Sequence, residues 1–194
     1  TKVELLAPAG NFEKLEIAVH YGADAVYLGG KDFSLRNFSG NFSLKEISQA
    51  VAYAHDRGVK IYVTVNVYAR NEEQPQIAEY LERLGAIGPD GLILADPGVI
   101  LTARELMPHI PLHLSTQANV TNKGNAQFWV NQGVKRLNLA RELSLQEIKA
   151  IRKNIDEEIE IFVHGALCIS YSGRCMLSQY LTGRSANRVD CAHP

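Results

Sequence analysis

Residues 3–30 read VELLAPAGNFEKLEIAVHYGADAVYLGG, and this stretch contains a complete strand–helix–strand unit. Residues 3–9 form a short, mostly apolar run that predicts a buried strand. Asn11 is placed to cap a helix that ends near Tyr21, because Gly22 follows it. Residues 25–30 predict the next strand, so the chain starts with a β–α–β arrangement.

The same alternation of apolar runs and helical periodicity continues to residue 164. Ser43 with Glu46, and Ser144 with Glu147, have the spacing of helix capping boxes. The pattern predicts seven strands, at residues 3–9, 25–30, 60–66, 91–96, 112–117, 136–140 and 158–164. It predicts six helices between them, at residues 11–21, 43–58, 72–84, 99–106, 123–132 and 144–154. Strands rich in Val, Ile and Leu that alternate with helices are typical of a parallel sheet buried on both faces.

Two α/β architectures fit this pattern, a doubly wound open sheet and a (β/α)8 TIM-like barrel. The even spacing of the units, and the absence of a Gly-rich dinucleotide-binding turn after the first strand, favour the barrel. A complete barrel usually takes about 250 residues, so we expect this chain of 194 residues, with about seven strands, to be a truncated part of a longer protein. Residues 1–165 are the predicted barrel core, and residues 166–194 a cysteine-bearing segment that leads into a missing C-terminal part.

The composition indicates a soluble, cytoplasmic protein. The net charge is −1 and 46% of the residues are hydrophobic, so no global field attracts nucleic acid or an anionic membrane. No apolar run approaches the roughly 20 residues of a membrane span, and no secretory signal opens the chain. The three cysteines lie close together near the end of the chain, which suits reduced thiols better than a disulfide framework.

Several common catalytic motifs are absent. Gly29-Gly30 is not a phosphate-binding loop, because neither a GxGxxG pattern nor a lysine–serine pair accompanies it. Ser115 and Ser172 lack the G-x-S-x-G elbow of esterase-type nucleophiles, and the chain has no H-E-x-x-H zinc motif.

Polar side chains follow several of the predicted strands, where the active sites of such barrels form. Asn66, Gln117, Arg141 and His164 stand at or next to predicted strand ends, and Arg36 lies in the polar loop after the second strand. We predict that these five residues bind substrate. The alternative is that they are loop starts and solvated surface groups.

The cysteine-bearing part of the chain, residues 166–194, carries the strongest local signal. Cys168 and Cys175 are separated by six residues, and Cys191 follows after fifteen more. Thiolates bind zinc and iron–sulfur clusters, so the three cysteines are predicted metal ligands. Three interpretations stay open: a cluster that lacks one ligand in this chain, a zinc site completed by His164 or His193, and three small buried thiols.

The run Glu160-x-Phe162-x-x-Gly165-Ala166-Leu167-Cys168, continued by Gly173-x-Cys175-x-Leu177-Ser178, resembles the signature of the collagenase-like peptidase family U-32. Residues 4–10, 21–29, 113–117 and 140–144 are also family-like, and residues 182–188 are similar to the branch linked to tRNA hydroxylation. The family label is peptidase, without an established set of catalytic residues.

The resemblance to the tRNA hydroxylation branch implies more. Newer members of the family are oxygen-independent hydroxylation factors that act on a tRNA wobble uridine, a ribosomal RNA cytidine or a ubiquinone precursor. Four cysteines hold a [4Fe–4S] cluster there, and prephenate is the hydroxyl donor. Cys168, Cys175 and Cys191 match the first three cysteines, whereas the fourth lies downstream in the family.

Three functions are therefore weighed. In RNA hydroxylation, Arg174, Arg184 and Arg188 would contact phosphates of tRNA or another RNA, and Arg36 and Arg141 would bind the small dicarboxylate donor. Peptide hydrolysis rests on the family label alone. A non-catalytic barrel with a structural metal site is the third possibility, and the oligomeric state is left open.

Overall fold

The computed structural model describes residues 2–34, 40–165 and 167–184. Its strands are β1 (Leu6–Ala9), β2 (Ala25–Gly29), β3 (Lys60–Val65), β4 (Gly91–Leu94), β5 (Leu112–Leu114), β6 (Arg136–Asn138) and β7 (Glu158–Glu160). Its α-helices are α1 (Phe12–His20), α2 (Leu44–His55), α3 (Gln74–Ile87), α4 (Pro97–Leu106), α5 (Lys123–Asn131), α6 (Leu145–Arg152) and α7 (Leu177–Thr182). Short 3₁₀ turns occupy Asn71–Glu73 and Thr116–Ala118.

The seven strands form one parallel sheet in the order β1-β2-β3-β4-β5-β6-β7. A doubly wound sheet reverses its strand order at a switch point, and no reversal occurs here. Sequential parallel strands connected by helices are instead the winding of a TIM-type barrel. The predicted fold class, a TIM-like arrangement with about seven strands, is thereby confirmed.

The sheet is strongly curled. Glu4, just ahead of β1, accepts a hydrogen bond from Nη1 of Arg136 on β6 at 2.7 Å. In a flat sheet five strand spacings would hold β1 and β6 about 24 Å apart. The direct contact therefore requires the sheet to curl strongly, which gives a half-barrel with an inner and an outer face.

Alternate residues of each strand face opposite sides of the curled sheet. On β3, Ile61, Val63 and Val65 belong to the large apolar layer between the sheet and the helices. The residues between them, Tyr62 and Thr64, face the interior of the half-barrel. This interior holds only a small apolar cluster, built on Ala25, Tyr62 and Ile93, and it is otherwise polar.

Side-chain caps fix where the helices begin. Both predicted capping boxes are present, Ser43 with Glu46 at α2 and Ser144 with Glu147 at α6. Asn11 accepts a hydrogen bond from the backbone N–H of Lys14 and caps α1, as predicted. Such caps satisfy backbone N–H groups that the first turn of a helix leaves unpaired.

Strands β5, β6 and β7 end earlier than the sequence predicts. The strand predicted at residues 158–164 stops at Glu160, and the one predicted at 112–117 stops at Leu114, where Ser115 caps a 3₁₀ turn. Helix α7 was not predicted. In the described ranges, the helices are all too short or too polar to cross a membrane.

Candidate functional site

A cavity of about 120 Å³ opens inside the half-barrel, toward the carboxyl ends of the strands. Its walls come from β2 to β7 and the loops that follow them. They consist mainly of hydroxyl and amide side chains, with two aromatic rings and one carboxyl group: Tyr27, Ser34, Thr64, Asn66, Ile93, Ser115, Thr116, Gln117, Asn138, Glu160 and Phe162. This is the face on which barrel enzymes place their active sites.

Two of the predicted substrate-binding residues meet in this cavity. Asn66 Nδ2 donates to Gln117 Oε1 at 2.8 Å, and Ser115 Oγ donates to the same oxygen at 2.6 Å. The carbonyl of Gln117 is therefore saturated from within the protein. The side chain of Gln117 also lines the cavity, so its amide group is near any ligand bound there.

Asn138 and Glu160, on neighbouring strands, form the opposite polar wall. Asn138 Nδ2 donates to Glu160 Oε1 at 2.8 Å. Asn138 Oδ1 is buried and has no hydrogen-bond partner among the described residues. Burial raises the pKa of Glu160 to about 7, the nearby charge of Arg136 opposes that rise, and Glu4 adds to it. A carboxyl group that titrates near neutrality can donate or accept a proton.

A buried ionic network lies beneath the cavity, at the amino ends of the strands. Arg136 is 6% exposed and pairs with Glu4 and Glu158, and its Nη1 lies 4.0 Å from Glu160 Oε2. Its guanidinium also stacks over the ring of Tyr62, 4.9 Å from the centroid. Although burial raises the pKa of Glu4, hydrogen bonds and charge from Arg136 outweigh that effect and lower it.

Replacing Glu160 by Gln should stabilise the protein above neutral pH. A folded-state pKa of about 7, against 4.5 in the unfolded chain, means that ionising Glu160 costs the fold about 3 kcal/mol above pH 7. This cost is absent below about pH 4.5, where the carboxyl is protonated in both states, and it grows through the window between the two values. Urea unfolding at about pH 4 and pH 8 measures it.

Glu160→Gln should match the wild type at the lower pH and exceed it by up to about 3 kcal/mol at the higher pH. Glu72→Gln is the control, because its side chain is 76% exposed. Equal stability of Glu160→Gln and the wild type at both pH values would show that Glu160 ionises normally.

The cysteine segment, residues 167–176, is braced onto the same edge of the sheet. Arg141 donates from Nη1 to the carbonyl of Cys168 at 2.6 Å, from Nη2 to the carbonyl of Ser170 at 2.9 Å, and from Nε to Ser172 Oγ at 3.2 Å. Glu142 accepts from the backbone N–H and the hydroxyl of Ser172. Arg141 therefore holds the segment that carries Cys168.

Gly173 is a point of direct backbone contact between the cysteine segment and the cavity wall. It has a φ of +68°, and a Cβ added there would lie 1.9 Å from the carbonyl oxygen of Gln117. Tyr68 Oη donates to the carbonyl of Gly173, and Arg174 Nε donates to Asn119 Oδ1 at 2.9 Å. Glycine is required here because the backbones meet directly.

The two described thiols differ in their surroundings. Cys168 is exposed and Cys175 is partly exposed. A hydrogen bond from the Ser170 side chain, with others from the backbone of Leu177 and Ser178, lowers the pKa of Cys175 and favours its thiolate. Thiolates are the form that binds iron or zinc.

The ligand set is incomplete in the part of the chain that the structure describes. No group of three or more His, Cys, Asp or Glu side chains is placed there to share one metal ion. The predicted ligand Cys191 lies outside the described residues, as do the predicted contacts Arg36 and Arg188.

The remaining predicted residues are spread over this face. His164 is exposed beyond the end of β7, since the strand stops four residues earlier, and it does not line the cavity. Arg174 is exposed on the cysteine segment, and Arg184 follows α7. The structure thus brings Asn66 and Gln117 together and places Arg141 under the cysteine segment.

Sequence reasoning missed Asn138 and Glu160 as cavity residues. Both belong to strands in which polar and apolar residues alternate, such as Arg136-Leu137-Asn138 and Glu158-Ile159-Glu160. Because successive strand residues face opposite sides, this alternation signals a polar interior and would have identified both side chains.

A curled parallel half-barrel with a polar cavity at the carboxyl ends of its strands defines a TIM-barrel-type α/β protein. The chain belongs to peptidase family U32, whose family model matches residues 10–194. The solved structure of the U32 peptidase Mk0906 superimposes with a TM-score of 0.72 at 17% identity, over 83% of this chain and 68% of that one. This structural likeness supports the fold.

Two curated relatives are much closer in sequence. The tRNA hydroxylation protein P1 of Bacillus subtilis (strain 168) is 50% identical over 190 residues, which are 98% of this chain and 45% of that protein. The 23S rRNA 5-hydroxycytidine C2501 synthase of Escherichia coli (strain K12) is 43% identical over 192 residues, 98% of this chain and 29% of that protein. The chain thus spans half or less of the length of these two relatives.

Proposed function

We propose that the protein, as its gene encodes it, is an enzyme that hydroxylates a pyrimidine of RNA without molecular oxygen. The substrate we favour is a wobble uridine of tRNA, with prephenate as the hydroxyl donor and a [4Fe–4S] cluster as cofactor. The cytoplasm is the expected compartment, because such RNA substrates are found there.

Similarity to named hydroxylation proteins supports this proposal. The relatives at 50% and 43% identity carry names that refer to hydroxylation of tRNA and to a 5-hydroxycytidine of ribosomal RNA. Both substrates are RNA, and both similarities extend over 98% of this chain. RNA hydroxylation is the activity that these two names share.

The observation that carries the proposal is the bracing of the cysteine segment onto the cavity wall. Gly173 packs on the backbone of Gln117, and Ser172 Oγ lies 3.3 Å from Thr116 Oγ1. Gln117 and Thr116 both line the cavity. A group bound by Cys168 and Cys175 would therefore be held next to the polar cavity, on the face where barrel enzymes react.

The two described cysteines fit an iron–sulfur ligand set in their chemistry. Cys168 is exposed, and the pKa of Cys175 is lowered by donors from Ser170 and the backbone. We propose that Cys191 is the third ligand, and that the fourth ligand comes from outside this chain. The cluster would supply one-electron transfer when bound; Arg141 and Gly173 hold the segment that binds it.

The charged residues have further proposed roles in RNA contact, in positioning the cysteine segment and in donor binding. We propose that Arg174, Arg184 and Arg188 contact RNA phosphates. Three N–H groups of Arg141 donate hydrogen bonds to the cysteine segment. We therefore propose that Arg141 acts on the dicarboxylate donor only by positioning this segment. Arg36 and His164 remain proposed contacts of the donor.

Analysis of nucleosides from a gene-deletion strain tests this function. The strain should lack 5-hydroxypyrimidine in its tRNA, and the wild-type gene and Ser48→Ala, an exposed change on α2, should both restore it. Cys168→Ala should restore less than about one tenth, since an incomplete ligand set weakens cluster binding.

Unchanged tRNA in the deletion strain, or full rescue by Cys168→Ala, would contradict this function. Cleavage of gelatin by the purified protein would then support the peptidase reading. Metal-dependent stability without any product would support a structural metal site.

A further inference from the structure

The buried, unpaired carbonyl of Asn138 is the feature of the cavity that nothing inside the protein explains. Asn138 is 7% exposed, and its Nδ2 is engaged by Glu160. Asn138 is one of the residues that line the cavity, and its Oδ1 is a buried acceptor with no partner among the described residues. Leaving such an acceptor unpaired is costly, so the cavity is built for a ligand that donates a hydrogen bond to this oxygen.

The charge of the cavity does not favour an anionic ligand. Among the described residues its lining contains one carboxyl group, Glu160, and no lysine, arginine or histidine. A dicarboxylate would meet this carboxyl without a balancing cation in the wall. An uncharged ligand therefore fits this lining better than a dicarboxylate does.

The size of the cavity excludes a large ligand. At about 120 Å³ it is smaller than the roughly 300–1,000 Å³ of pockets that hold drug-sized molecules. A single ring fits, whereas a whole nucleotide or a peptide segment does not. Phe162 and Tyr27 add aromatic surface to the wall, which suits a planar ring.

We propose that this cavity receives one unstacked uracil base of the RNA, with Asn138 Oδ1 accepting the hydrogen bond of the ring N3–H. This assignment rests on the proposed RNA hydroxylation and names the place where the base would bind. Uracil presents an N–H between two carbonyl oxygens. Gln117, whose own carbonyl is saturated by Asn66 and Ser115, offers its amide N–H groups to one of those oxygens, and protonated Glu160 offers its O–H to the other.

Enzymes that modify a base take it out of the stack and read its pairing edge in a close-fitting pocket. The position of the cavity agrees with that requirement, because the cysteine segment packs on its wall through Gly173 and Gln117. A base held there would lie beside the cysteine segment.

The protonation state of Glu160 determines whether this site can donate an O–H hydrogen bond to the base. The groups that face it are Arg136 on β6 and Glu4 ahead of β1, with Tyr27 in the cavity wall. Burial, with the charge of Glu4, raises the pKa of Glu160 to about 7 against the opposing effect of Arg136. The O–H donor is therefore present below pH 7 and is lost as the pH rises above it.

Binding of short RNA, with no turnover required, tests the proposal. The probe is an oligoadenylate with one central uridine, compared with the same strand carrying 3-methyluridine or an abasic site. Wild-type protein at about pH 6 should bind the uridine strand roughly tenfold more tightly than either, because methylation removes the N3–H donor.

Asn138→Leu should bind all three strands equally and at the affinity of the abasic one. Asn131→Leu, an exposed change on α5, should keep the discrimination. Glu160→Gln retains a donor, so it should keep the discrimination at about pH 8, where the wild type loses part of it.

The possible outcomes distinguish failure of the proposed base pocket from failure of the proposed function. Base discrimination without hydroxylation would keep the pocket and overturn the proposed activity. Hydroxylation that is intact in Asn138→Leu, or equal binding of uridine and 3-methyluridine by the wild type, would overturn the pocket. Displacement of the uridine strand by succinate, with Asn138→Leu insensitive to it, would also overturn the pocket and assign the cavity to the anionic donor.

Discussion

Gly173→Ala should strongly reduce the proposed hydroxylation activity while the half-barrel stays folded. The added Cβ would lie 1.9 Å from the carbonyl oxygen of Gln117 and 2.7 Å from its carbonyl carbon, and both are backbone atoms. Neither can rotate away, so the cysteine segment must lift off the cavity wall. We expect the iron content after reconstitution and the 5-hydroxypyrimidine in tRNA each to fall at least about tenfold, as for loss of supporting contacts around a metal.

Gly183→Ala is the matched control for this change. Gly183 has a φ of +72°, close to the +68° of Gly173, but nothing lies within 4 Å of its added Cβ. Both variants carry the backbone strain of about 1–3 kcal/mol that alanine suffers in this region, and only Gly173→Ala carries the clash. Full activity of Gly173→Ala, or equal loss in both variants, would contradict the proposed packing.

Arg136→Met should produce the largest loss of stability among the charged residues. The guanidinium is the counter-ion of Glu4, with a contact at 2.7 Å, and it lies 4.0 Å from Glu160. Removing one partner of a buried ion pair leaves the other charge unpaired and typically costs about 3–5 kcal/mol of stability. Denaturant unfolding at about pH 8 measures this loss of stability. The loss should be smaller at about pH 5, because the unpaired carboxylates become protonated.

Two further variants test whether the unpaired carboxylates cause this loss of stability. Adding Glu4→Gln to Arg136→Met should recover part of the stability, because it removes one unpaired carboxylate. Lys60→Met, at a residue whose side chain is 54% exposed and pairs with Glu4 at 3.2 Å, should cost less than about 1 kcal/mol. A loss below about 1 kcal/mol for Arg136→Met would show that the network is not coupled to folding.

The order of strands and helices could be predicted from local sequence signals. The capping boxes at Ser43 and Ser144 and the glycine after Tyr21 mark helix boundaries through contacts between near neighbours in the chain. The regular alternation of strands and helices then predicts a parallel sheet, because helical crossover connections place successive strands side by side.

The interior of the half-barrel could not be predicted in the same way. Glu4 and Arg136 are 132 positions apart, and only the curl of the sheet makes them partners. The pairing of Asn66 with Gln117, across 51 positions, depends on the same curl. Their strand-end positions were visible in the sequence, but their contact was not.

The strand ends were the weakest part of the prediction. His164 was placed at the end of a strand that stops at Glu160, so it lies outside the cavity. Arg141 does follow a strand, but its guanidinium is taken up by the carbonyls of Cys168 and Ser170. Loop conformation decides such cases, and short-range sequence patterns do not encode it.

The central claim is that Cys168 and Cys175 hold an iron–sulfur cluster beside the cavity. Anaerobic reconstitution of the protein as its gene encodes it, followed by determination of iron and acid-labile sulfide, tests it most directly. The account predicts about four iron and four sulfide per chain, lost in Cys168→Ala and reduced in Gly173→Ala but retained in Gly183→Ala. Zinc in place of iron, or no metal in the wild-type protein, would contradict it.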